Sequence, residues 1–302
     1  MNAGENISRR DQTGLIRETA IGHVRLADGT EVAALGQGTW RIGDNPRRRQ
    51  EEIAALQAGV ELGMNLIDTA EMYGEGRAES LVGEALKGKR DSVFLVSKVY
   101  PHNAGRTRIF RSCEESLKRL GTDRLDLYLL HWRGRVPLEE TVECMERLVE
   151  QGKIIRWGVS NFDTADMREL AALADGSRCA VNQVLYHLGS RGIEYDLLPW
   201  QRDCGMPIMA YSPLAQAGEL RTGLTEHPAV VRAAEAHGAS PLQILLAWSI
   251  RGGNVIAIPK ASTVRHVTEN AQAARITLSN EEIAALDEAF PPPDRKVPLD
   301  II

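Results

Sequence analysis

The feature that most constrains the fold is a repeated alternation of short apolar runs with amphipathic helical segments. The apolar runs are Leu66–Ile67, Val93–Val96, Leu125–Leu130, Ile154–Val159, Ala180–Leu185, Ile208–Ala210 and Val255–Ile258. Runs that are apolar on both faces are typical of parallel strands covered on both sides. With Leu35-Gly36 as the end of a first strand, eight strands result, each followed by a helix. The pattern predicts an α/β fold, a single (β/α)8 TIM barrel.

Two further elements flank the predicted barrel. The Asp28-Gly29 pair lies between two strand-like runs and predicts an N-terminal β-hairpin, placed as a plug at the amino end of the barrel. A C-terminal extra helix is expected from about Ser279 to Phe290. The rival fold is an open doubly wound sheet, but its G-x-G-x-x-G fingerprint lacks the third glycine in the segment from Gly36 to Arg41. We therefore predict a flexible leader over 1–20 and one domain over 21–302.

Composition narrows the class of protein. The chain has 302 residues, 43% hydrophobic and 25% charged, which excludes a disordered, collagenous or coiled-coil chain. A net charge of -5 does not favour binding to nucleic acid. No apolar stretch approaches the roughly 18 residues of a membrane helix. The cysteines, Cys113, Cys144, Cys179 and Cys204, form no C-x-x-C pair, so we expect reduced thiols in a cytoplasmic protein.

Polar residues recur where the predicted strands end. They are Asp68, Lys98, His131, Ser160, Gln183, Tyr211 and Lys260. The active sites of such barrels lie at the carboxyl ends of the strands. Each residue alone has a structural explanation, such as a cap or a hydrogen-bonded core histidine. Charged groups at buried strand ends are costly unless they are paired, so together they predict an active site on one rim.

Tyr73, five residues past Asp68, suggests the chemistry of this rim. A phenol is a weak acid at neutral pH, and a neighbouring ammonium such as Lys98 lowers its pKa by stabilising the phenolate. Asp68 can hold that ammonium in place, and His131 can bind a substrate oxygen or relay a proton. The arrangement predicts a site that protonates a carbonyl without a metal. Spacing alone leaves a structural, buried tyrosine equally open.

Several ordered blocks carry a resemblance to a known family. They are Gly36-Gln37-Gly38-Thr39-Trp40, the run from Asn65 to Gly74, Leu95-Val96-Ser97-Lys98, the run from Leu125 to Trp132, Gly158-Val159-Ser160-Asn161-Phe162, the run from Asn182 to His187, and Ala210-Tyr211-Ser212-Pro213-Leu214. From about Gly22 to the C-terminus the sequence resembles the aldo-keto reductase superfamily. The stretch from Tyr186 to Glu194 and the segment from Leu214 to Gly218 make it most similar to the bacterial methylglyoxal-reductase type.

The resemblance implies an oxidoreductase that reduces aldehydes and ketones with NADPH. Small 2-oxoaldehydes such as methylglyoxal and aromatic aldehydes are the implied substrates. It maps the catalytic residues onto Asp68, Tyr73, Lys98 and His131, with Tyr73 as the proton donor and no metal. It implies that NADPH contacts Gly38, Thr39, Ser160, Asn161, Gln183, Tyr211, Ser212, Pro213, Leu214, Gln216, Lys260, Ser262, Arg265, Glu269 and Asn270.

Within this set, the resemblance gives groups of residues separate tasks. Ser160, Asn161 and Gln183 would bind the carboxamide of the nicotinamide, and the Tyr211 ring would stack on it. The segment after strand eight would bind the adenosine end, because a helix N-terminus there is a common phosphate site. Its tasks fall to Lys260 and Arg265 at the 2′-phosphate, to Ser262 as a hydroxyl donor or helix cap, and to Glu269 and Asn270 at the adenine.

One departure from the family pattern bears on the choice of cofactor. His266 stands where many members have arginine, and Arg265 comes one residue early. One residue is about 100° of helix, so the contact of Arg265 with the phosphate is weakened.

Trp40, Tyr100 and Trp132 lie just past strand ends and are expected to wall the substrate pocket. We expect a monomer or weak oligomer with a small-molecule carbonyl substrate, and neither nucleic acid nor membrane as partner. Two other functions stay open: a cofactor-binding regulatory protein on the same fold, and a lyase in which Lys98 forms a Schiff base.

Overall fold

The computed structural model describes residues 21–302, so the leader predicted over 1–20 lies outside the described residues. The strands are β1 His23–Arg25, β2 Glu31–Ala33, β3 Gln37–Gly38, β4 Leu66–Asp68, β5 Phe94–Val99, β6 Leu127–Leu130, β7 Trp157–Ser160, β8 Asn182–Leu185, β9 Ile208–Tyr211 and β10 Val255–Ala257. The helices are α1 Arg49–Glu61, α2 Arg77–Ala85, α3 Ile109–Leu120, α4 Leu138–Glu150, α5 Thr164–Ala171, α6 Leu197–Asp203, α7 Glu219–Thr225, α8 Pro228–Ala236, α9 Pro241–Ile250, α10 Val264–Ala273 and α11 Asn280–Ala289.

Strands β3 to β10 form one parallel sheet in chain order. The sheet closes on itself, because Leu35 and Gly38 bridge in parallel to Ala257 and Lys260. A Cβ atom at Gly38 would lie 2.7 Å from the carbonyl oxygen of Ile258, so this seam requires a glycine. The predicted (β/α)8 barrel is confirmed.

The first barrel strand lies slightly later than predicted. It is Gln37–Gly38 rather than the expected Leu35-Gly36. Its two residues pair with Ile67 and Asp68 of β4. A strand of two residues has no local pattern of its own, so pairing with its neighbours fixes its position.

The N-terminal hairpin plugs the barrel as predicted. Strands β1 and β2 are antiparallel, with Val24 opposite Val32. Both side chains share an apolar cluster with Leu66, Val96, Leu129, Met209 and Ile256. These five residues come from five different strands, and only the lumen of the barrel brings them together. Arg156, which directly precedes β7, pairs with Asp28 of the hairpin at 2.9 Å, so the plug covers the amino ends of the strands.

Helices cover the outside of the barrel, and the long interval after β9 contains two helices that the sequence pattern did not predict. These are α7 and α8, which precede the predicted helix α9.

Helix α11 is the predicted C-terminal extra helix; Ser279 caps it and Glu282 completes the capping box. Within residues 21–302, no helix is long and apolar enough to cross a membrane.

Candidate active site

Three of the four predicted catalytic side chains extend from consecutive strands. Asp68 ends β4, Lys98 lies near the end of β5, and His131 directly follows β6. Parallel strands bring their carboxyl ends to one rim, so the three meet although they are about 30 residues apart in sequence. Tyr73 comes from the loop of residues 69–76 that joins β4 to α2, here called the Tyr73 loop.

Lys98 lies at the centre of this group and is fully buried. Its Nζ donates to Asp68 Oδ2 at 2.7 Å, to the carbonyl oxygen of Thr69 at 2.9 Å and to the Tyr73 hydroxyl oxygen at 3.0 Å. An ammonium has three donors, and all three are used. A cation buried this deeply is costly unless it is paired, and the Asp68 carboxylate supplies the pair. Lys98 is thereby fixed against the phenol.

Tyr73 is buried at the mouth of the barrel between two aromatic rings. Its ring packs edge-on against Trp40, with 5.0 Å between centroids, and against His131 at 5.8 Å. Within the Tyr73 loop, its backbone N–H donates to the carbonyl oxygen of Ala70 at 3.0 Å. Packing and hydrogen bonding together hold the phenol in one position.

Burial raises the pKa of Tyr73 well above 10, and the negative charge of Asp68 raises it further. The stabilisation of the phenolate by Lys98 that the sequence predicts is therefore outweighed by burial and by Asp68, and the net shift is upward. The ammonium shares its charge with Asp68, and the loss of hydration disfavours the phenolate. Burial also lowers the pKa of Lys98, although Asp68 opposes that shift. Tyr73 is accordingly held protonated, which is the form that a proton donor requires.

His131 faces Tyr73 as a neutral imidazole. Burial lowers its pKa to about 2, and the nearby Lys98 charge acts in the same direction. Its Nδ1 is buried and has no hydrogen-bond partner among residues 21–302. A neutral imidazole can donate one hydrogen bond to an oxygen but is not a cationic acid. Of the two roles predicted for His131, binding a substrate oxygen fits this environment better than relaying a proton.

The predicted nicotinamide residues form a connected amide cluster beside the four. Gln183 Nε2 donates to Asp68 Oδ1 at 2.8 Å, across the barrel. Ser160 Oγ donates to the carbonyl oxygen of Gln183 at 2.8 Å. Asn161 adopts a left-handed φ of 60°, and its amide donates to the carbonyl oxygen of His131 at 3.2 Å. The Tyr211 hydroxyl donates to Asn161 Oδ1 at 2.9 Å, which fixes its half-buried ring at the rim.

The loop after β9 carries the predicted contacts Ser212, Pro213, Leu214 and Gln216. Ser212 has a left-handed φ of 48°. Arg221 on α7 donates to the carbonyl oxygen of Leu214 at 2.9 Å and to that of Ala215 at 2.5 Å. Sequence reasoning missed Arg221 because α7 was not predicted. This guanidinium holds the loop in its bent conformation.

The segment after β10 differs from the prediction in its helix cap, and its Arg265 side chain extends into solvent. Thr263, not Ser262, caps α10, accepting a hydrogen bond from the backbone N–H of His266. The Ser262 hydroxyl instead accepts from Lys260 Nζ at 2.6 Å. Arg265 keeps 73% of its side chain exposed and pairs with Glu269 at 2.9 Å. Lys260 is thus held at the seam of the barrel, whereas Arg265 is occupied by an acid.

Two remaining predicted contacts lie at the same seam. Gly38 bridges to Lys260, and both the backbone N–H and the hydroxyl of Thr39 donate to the carbonyl oxygen of Asp68, at 3.0 and 2.9 Å. Thr39 therefore links β3 to the end of β4, where Asp68 lies. Asn270 is buried on α10.

The aromatic residues expected to wall the substrate pocket lie beside Tyr73 and His131. Trp132 lies 4.9 Å from the His131 ring and 5.9 Å from the Tyr100 ring, between centroids. Trp40 keeps 46% of its surface exposed beside Tyr73. His102 stacks on Tyr100 at 4.8 Å and was not predicted, since it follows a turn at Pro101 rather than a strand end. Among residues 21–302, no group of three or more His, Cys, Asp or Glu side chains could hold a metal ion.

A protonated phenol, a paired ammonium, a neutral histidine and an amide cluster at the mouth of a barrel define a site that can bind a carbonyl group and protonate it. The model of the aldo/keto reductase family matches residues 34–290. The chain therefore belongs to the aldo/keto reductase family.

Individual relatives agree with this assignment. The chain is 57% identical over 279 residues to methylglyoxal reductase YeaE of Escherichia coli, covering 92% of this chain and 98% of that protein. It is 32% identical over 267 residues to glyoxal reductase of Bacillus subtilis, covering 87% of this chain and 91% of that protein. Among solved structures, an aldo/keto reductase from Klebsiella pneumoniae in complex with NADP and acetate superposes with a TM-score of 0.91 at 57% identity, covering 93% of this chain and 99% of the other.

Proposed function

We propose that this protein is an NADPH-dependent carbonyl reductase that converts small 2-oxoaldehydes such as methylglyoxal, and aromatic aldehydes, to alcohols. The observation that carries the proposal is the hydrogen-bonded group of Lys98, Asp68 and Tyr73, with the Lys98–Tyr73 contact at 3.0 Å. Relatives named methylglyoxal reductase and glyoxal reductase support the substrate class. A structure solved with NADP and one solved with NADPH support the cofactor.

Each residue of the site has a stated task in this reaction. Bound NADPH supplies the hydride. His131 donates a hydrogen bond to the carbonyl oxygen as a neutral imidazole. Tyr73 donates its phenolic proton to the same oxygen. Lys98 stabilises the phenolate that remains, and Asp68 keeps Lys98 charged and in place. Charge that develops on the phenol is met by a preorganised ammonium, so little reorganisation is needed.

The chain's own groups fit the cofactor at both ends. The amides of Asn161 and Gln183 suit a carboxamide, and the Tyr211 ring offers a face for stacking. The Ser212 to Gln216 loop, held by Arg221, suits the diphosphate. Lys260, Ser262, Arg265 and Asn270 suit the adenosine end.

Steady-state assays with methylglyoxal and an activated aromatic aldehyde, with NADPH and with NADH, test the proposed function. We expect turnover of both aldehydes and a higher kcat/KM with NADPH. Binding of NADPH without turnover of any aldehyde would instead support the regulatory alternative.

The choice between NADPH and NADH gives a second test. We expect Lys260→Ala to raise KM for NADPH about tenfold and to leave NADH nearly unchanged, because one exposed charge-assisted contact is lost. Arg265→Ala should have a smaller effect, since Arg265 is paired with Glu269. His266→Ala tests the neighbouring register, although it also removes the contact of the His266 ring with Arg265 at 2.7 Å. If only His266→Ala raises KM for NADPH, the phosphate contact lies one residue later than proposed.

Three broader expectations stay predictions. We propose that residues 21–302 act as one domain, that the protein is a monomer or weak oligomer, and that it works in the cytoplasm. Free cysteines, three of them buried, suit a reducing compartment. Limited proteolysis, sedimentation velocity and fractionation of the source cells test the three in turn.

A further inference from the structure

We propose that Glu71 is a specificity-determining positioning residue for the reaction. In this proposal Glu71 fixes the segment Tyr100–Asn103, here called the pocket wall, against the Tyr73 loop. It thereby sets the space for the part of a substrate that extends beyond the carbonyl group. The inference rests on the proposed function and deepens it.

The first support is the burial of the Glu71 carboxylate. Glu71 is only 8% exposed, and within residues 21–302 no lysine, arginine or histidine forms an ion pair with it. A buried carboxylate without a cation is expensive, and an apolar side chain would fill the same space at lower cost. A carboxylate in such a place is explained by nearby hydrogen-bond donors, which an apolar side chain could not satisfy.

The partners of Glu71 are all in or beside the pocket wall. Its Oε1 accepts from the backbone N–H of Tyr100 at 2.7 Å and from the side-chain amide of Asn103 at 3.2 Å. Its own backbone N–H donates to the carbonyl oxygen of Lys98 at 3.3 Å. Hydrogen bonds to an ionised acceptor are short and strong. The Tyr73 hydroxyl, in contrast, is held by Lys98, so Glu71 acts on the wall and not on the proton donor.

The rest of the pocket wall is braced from the opposite side. Just beyond the wall, Glu140 on α4 accepts from the backbone N–H of Arg106 at 2.8 Å. A Cβ atom at Gly134 would lie 2.4 Å from Cβ of Pro101, so the loop after β6 presses directly on the wall. With the chain fixed beyond Asn103 and the wall supported at Pro101, Glu71 holds the wall itself at Tyr100 and Asn103.

The position of Tyr100 matters only to substrates that reach it. Its ring lies 5.9 Å from Trp132 and stacks on His102, at the outer part of the mouth. Methylglyoxal has three carbon atoms and is held at its carbonyl by Tyr73 and His131. An aromatic aldehyde extends past these residues to the wall. Loosening the wall should therefore affect the larger substrate selectively.

The test compares Glu71→Ala and Glu71→Gln on methylglyoxal and 4-nitrobenzaldehyde. For Glu71→Ala we expect KM for 4-nitrobenzaldehyde to rise about tenfold with kcat within about threefold, and KM for methylglyoxal to stay within about twofold. The reason is that the lost contacts bind the ground state and the transition state equally, while contacts made only in the transition state are kept. Glu71→Gln should restore most of the parent's KM, since its carbonyl oxygen can still accept from Tyr100.

The matched control is Asp126→Ala. Asp126 Oδ2 likewise accepts a backbone N–H, that of Leu95 at 2.9 Å, but at the amino end of β5, and unlike Glu71 it also pairs with Arg90 at 2.8 Å. This variant should melt earlier than the parent and leave both KM values unchanged. A purely structural role of Glu71 would make the two alanine variants behave alike, and the proposal would then be overturned.

Other outcomes also decide the matter. An equal fall in kcat for both aldehydes, or a shifted pH profile of kcat, would mean that Glu71 acts on Tyr73, and would overturn the proposal. So would a Glu71→Gln variant as impaired as Glu71→Ala. Quenching of tryptophan fluorescence by 4-nitrobenzaldehyde in the presence of NADP+ measures binding without turnover. A parent that binds but does not turn over either aldehyde would refute the proposed function. In that case, binding of 4-nitrobenzaldehyde to Glu71→Ala and Glu71→Gln, measured by fluorescence quenching, would still test whether Glu71 positions the wall.

Discussion

At the scale of single residues, the site combines groups whose protonation states are fixed by burial. Tyr73 is held neutral, Lys98 is charged by its contact with Asp68, and His131 is neutral. None of the three needs to change state near neutral pH before substrate binds. In the proposed reaction, the proton of Tyr73 therefore leaves only when negative charge develops on the substrate oxygen, and Lys98 then stabilises the phenolate.

Replacement of Tyr73 tests the acid directly. We expect Tyr73→Phe to lower kcat by about 10²–10⁴-fold, the usual contribution of a positioned general acid. Binding of NADPH, followed by fluorescence quenching, should persist. Phe keeps the edge-on packing with Trp40, and Lys98 keeps its bonds to Asp68 and to the Thr69 carbonyl oxygen, so the melting temperature should stay close to that of the parent. Near-normal turnover would remove Tyr73 from the mechanism.

Lys98 and Asp68 should differ in their effects on stability. Lys98→Met leaves the Asp68 carboxylate buried without its cation, and breaking a buried pair in this way costs about 3–5 kcal/mol. Asp68→Asn retains Lys98 bonded to the Thr69 carbonyl oxygen and Tyr73, so its loss should be smaller. We also expect the larger fall in kcat for Lys98→Met. Urea denaturation of the two variants beside the parent measures the difference. Equal stabilities would contradict the buried pair.

At the scale of elements, one guanidinium connects the loop after β8 to the C-terminal part of the chain. Arg191 is buried, donates to Glu194 at 2.7 Å and to Asp287 of α11 at 2.7 Å, and also donates to the carbonyl oxygen of Phe290. Its guanidinium lies 5.1 Å from the Trp248 ring, and Arg251 lies 3.8 Å from that ring. The loop, α9 and α11 are therefore held by a single planar cation.

The planarity of Arg191 leads to a prediction about stability. We expect Arg191→Met to lower the free energy of unfolding by about 2–3 kcal/mol, less than for a fully buried pair because Asp287 is partly exposed. Arg191→Lys keeps the charge but loses the forked geometry and the stacking, so it should recover only part of the loss. Denaturant titrations measure both. Full recovery by lysine would show that charge alone suffices.

Sequence reasoning worked best where an element carries its own local signal. The apolar runs before Asp68, Lys98 and His131 predicted strands, and the strand ends predicted the rim. It failed where the deciding contact is distant in sequence. Glu71 shows its role only when the loop containing Tyr100 folds against it, and α7 was missed because short polar helices have weak periodicity. The cap of α10 moved to Thr263 because Lys260 engages the Ser262 hydroxyl.

At the scale of the whole molecule, buried neutral histidines link stability to pH. Burial lowers the pKa of His187 to about 4, although Asp300 opposes the shift, and that of His131 to about 2. In the unfolded chain a histidine takes up its proton near pH 6.5. Below that pH the unfolded state binds protons that the folded state does not, so stability falls as pH falls.

His187 offers a test of this linkage outside the catalytic group. Each histidine should contribute a slope of up to about 1.4 kcal/mol per pH unit between its folded and unfolded pKa values. We expect the free energy of unfolding of His187→Asn to depend less steeply on pH than that of the parent from pH 6.5 to pH 5. Denaturant titrations across that range measure the slopes. Parallel slopes would mean that His187 is not held neutral.

The order of the strands around the barrel divides the site into two consecutive halves of the chain. Asp68, Tyr73, Lys98 and His131 all come from β4 to β6 and the loops that follow them. The amide cluster and the seam at Lys260 come from β7 to β10, apart from the short β3. With the proposed roles of these residues, we expect a recombination event within α4 to exchange cofactor preference between two relatives as one inherited block and to leave the proton chemistry intact. The hydrogen bond from Gln183 to Asp68 connects the two halves, so such a chimera would have to preserve it.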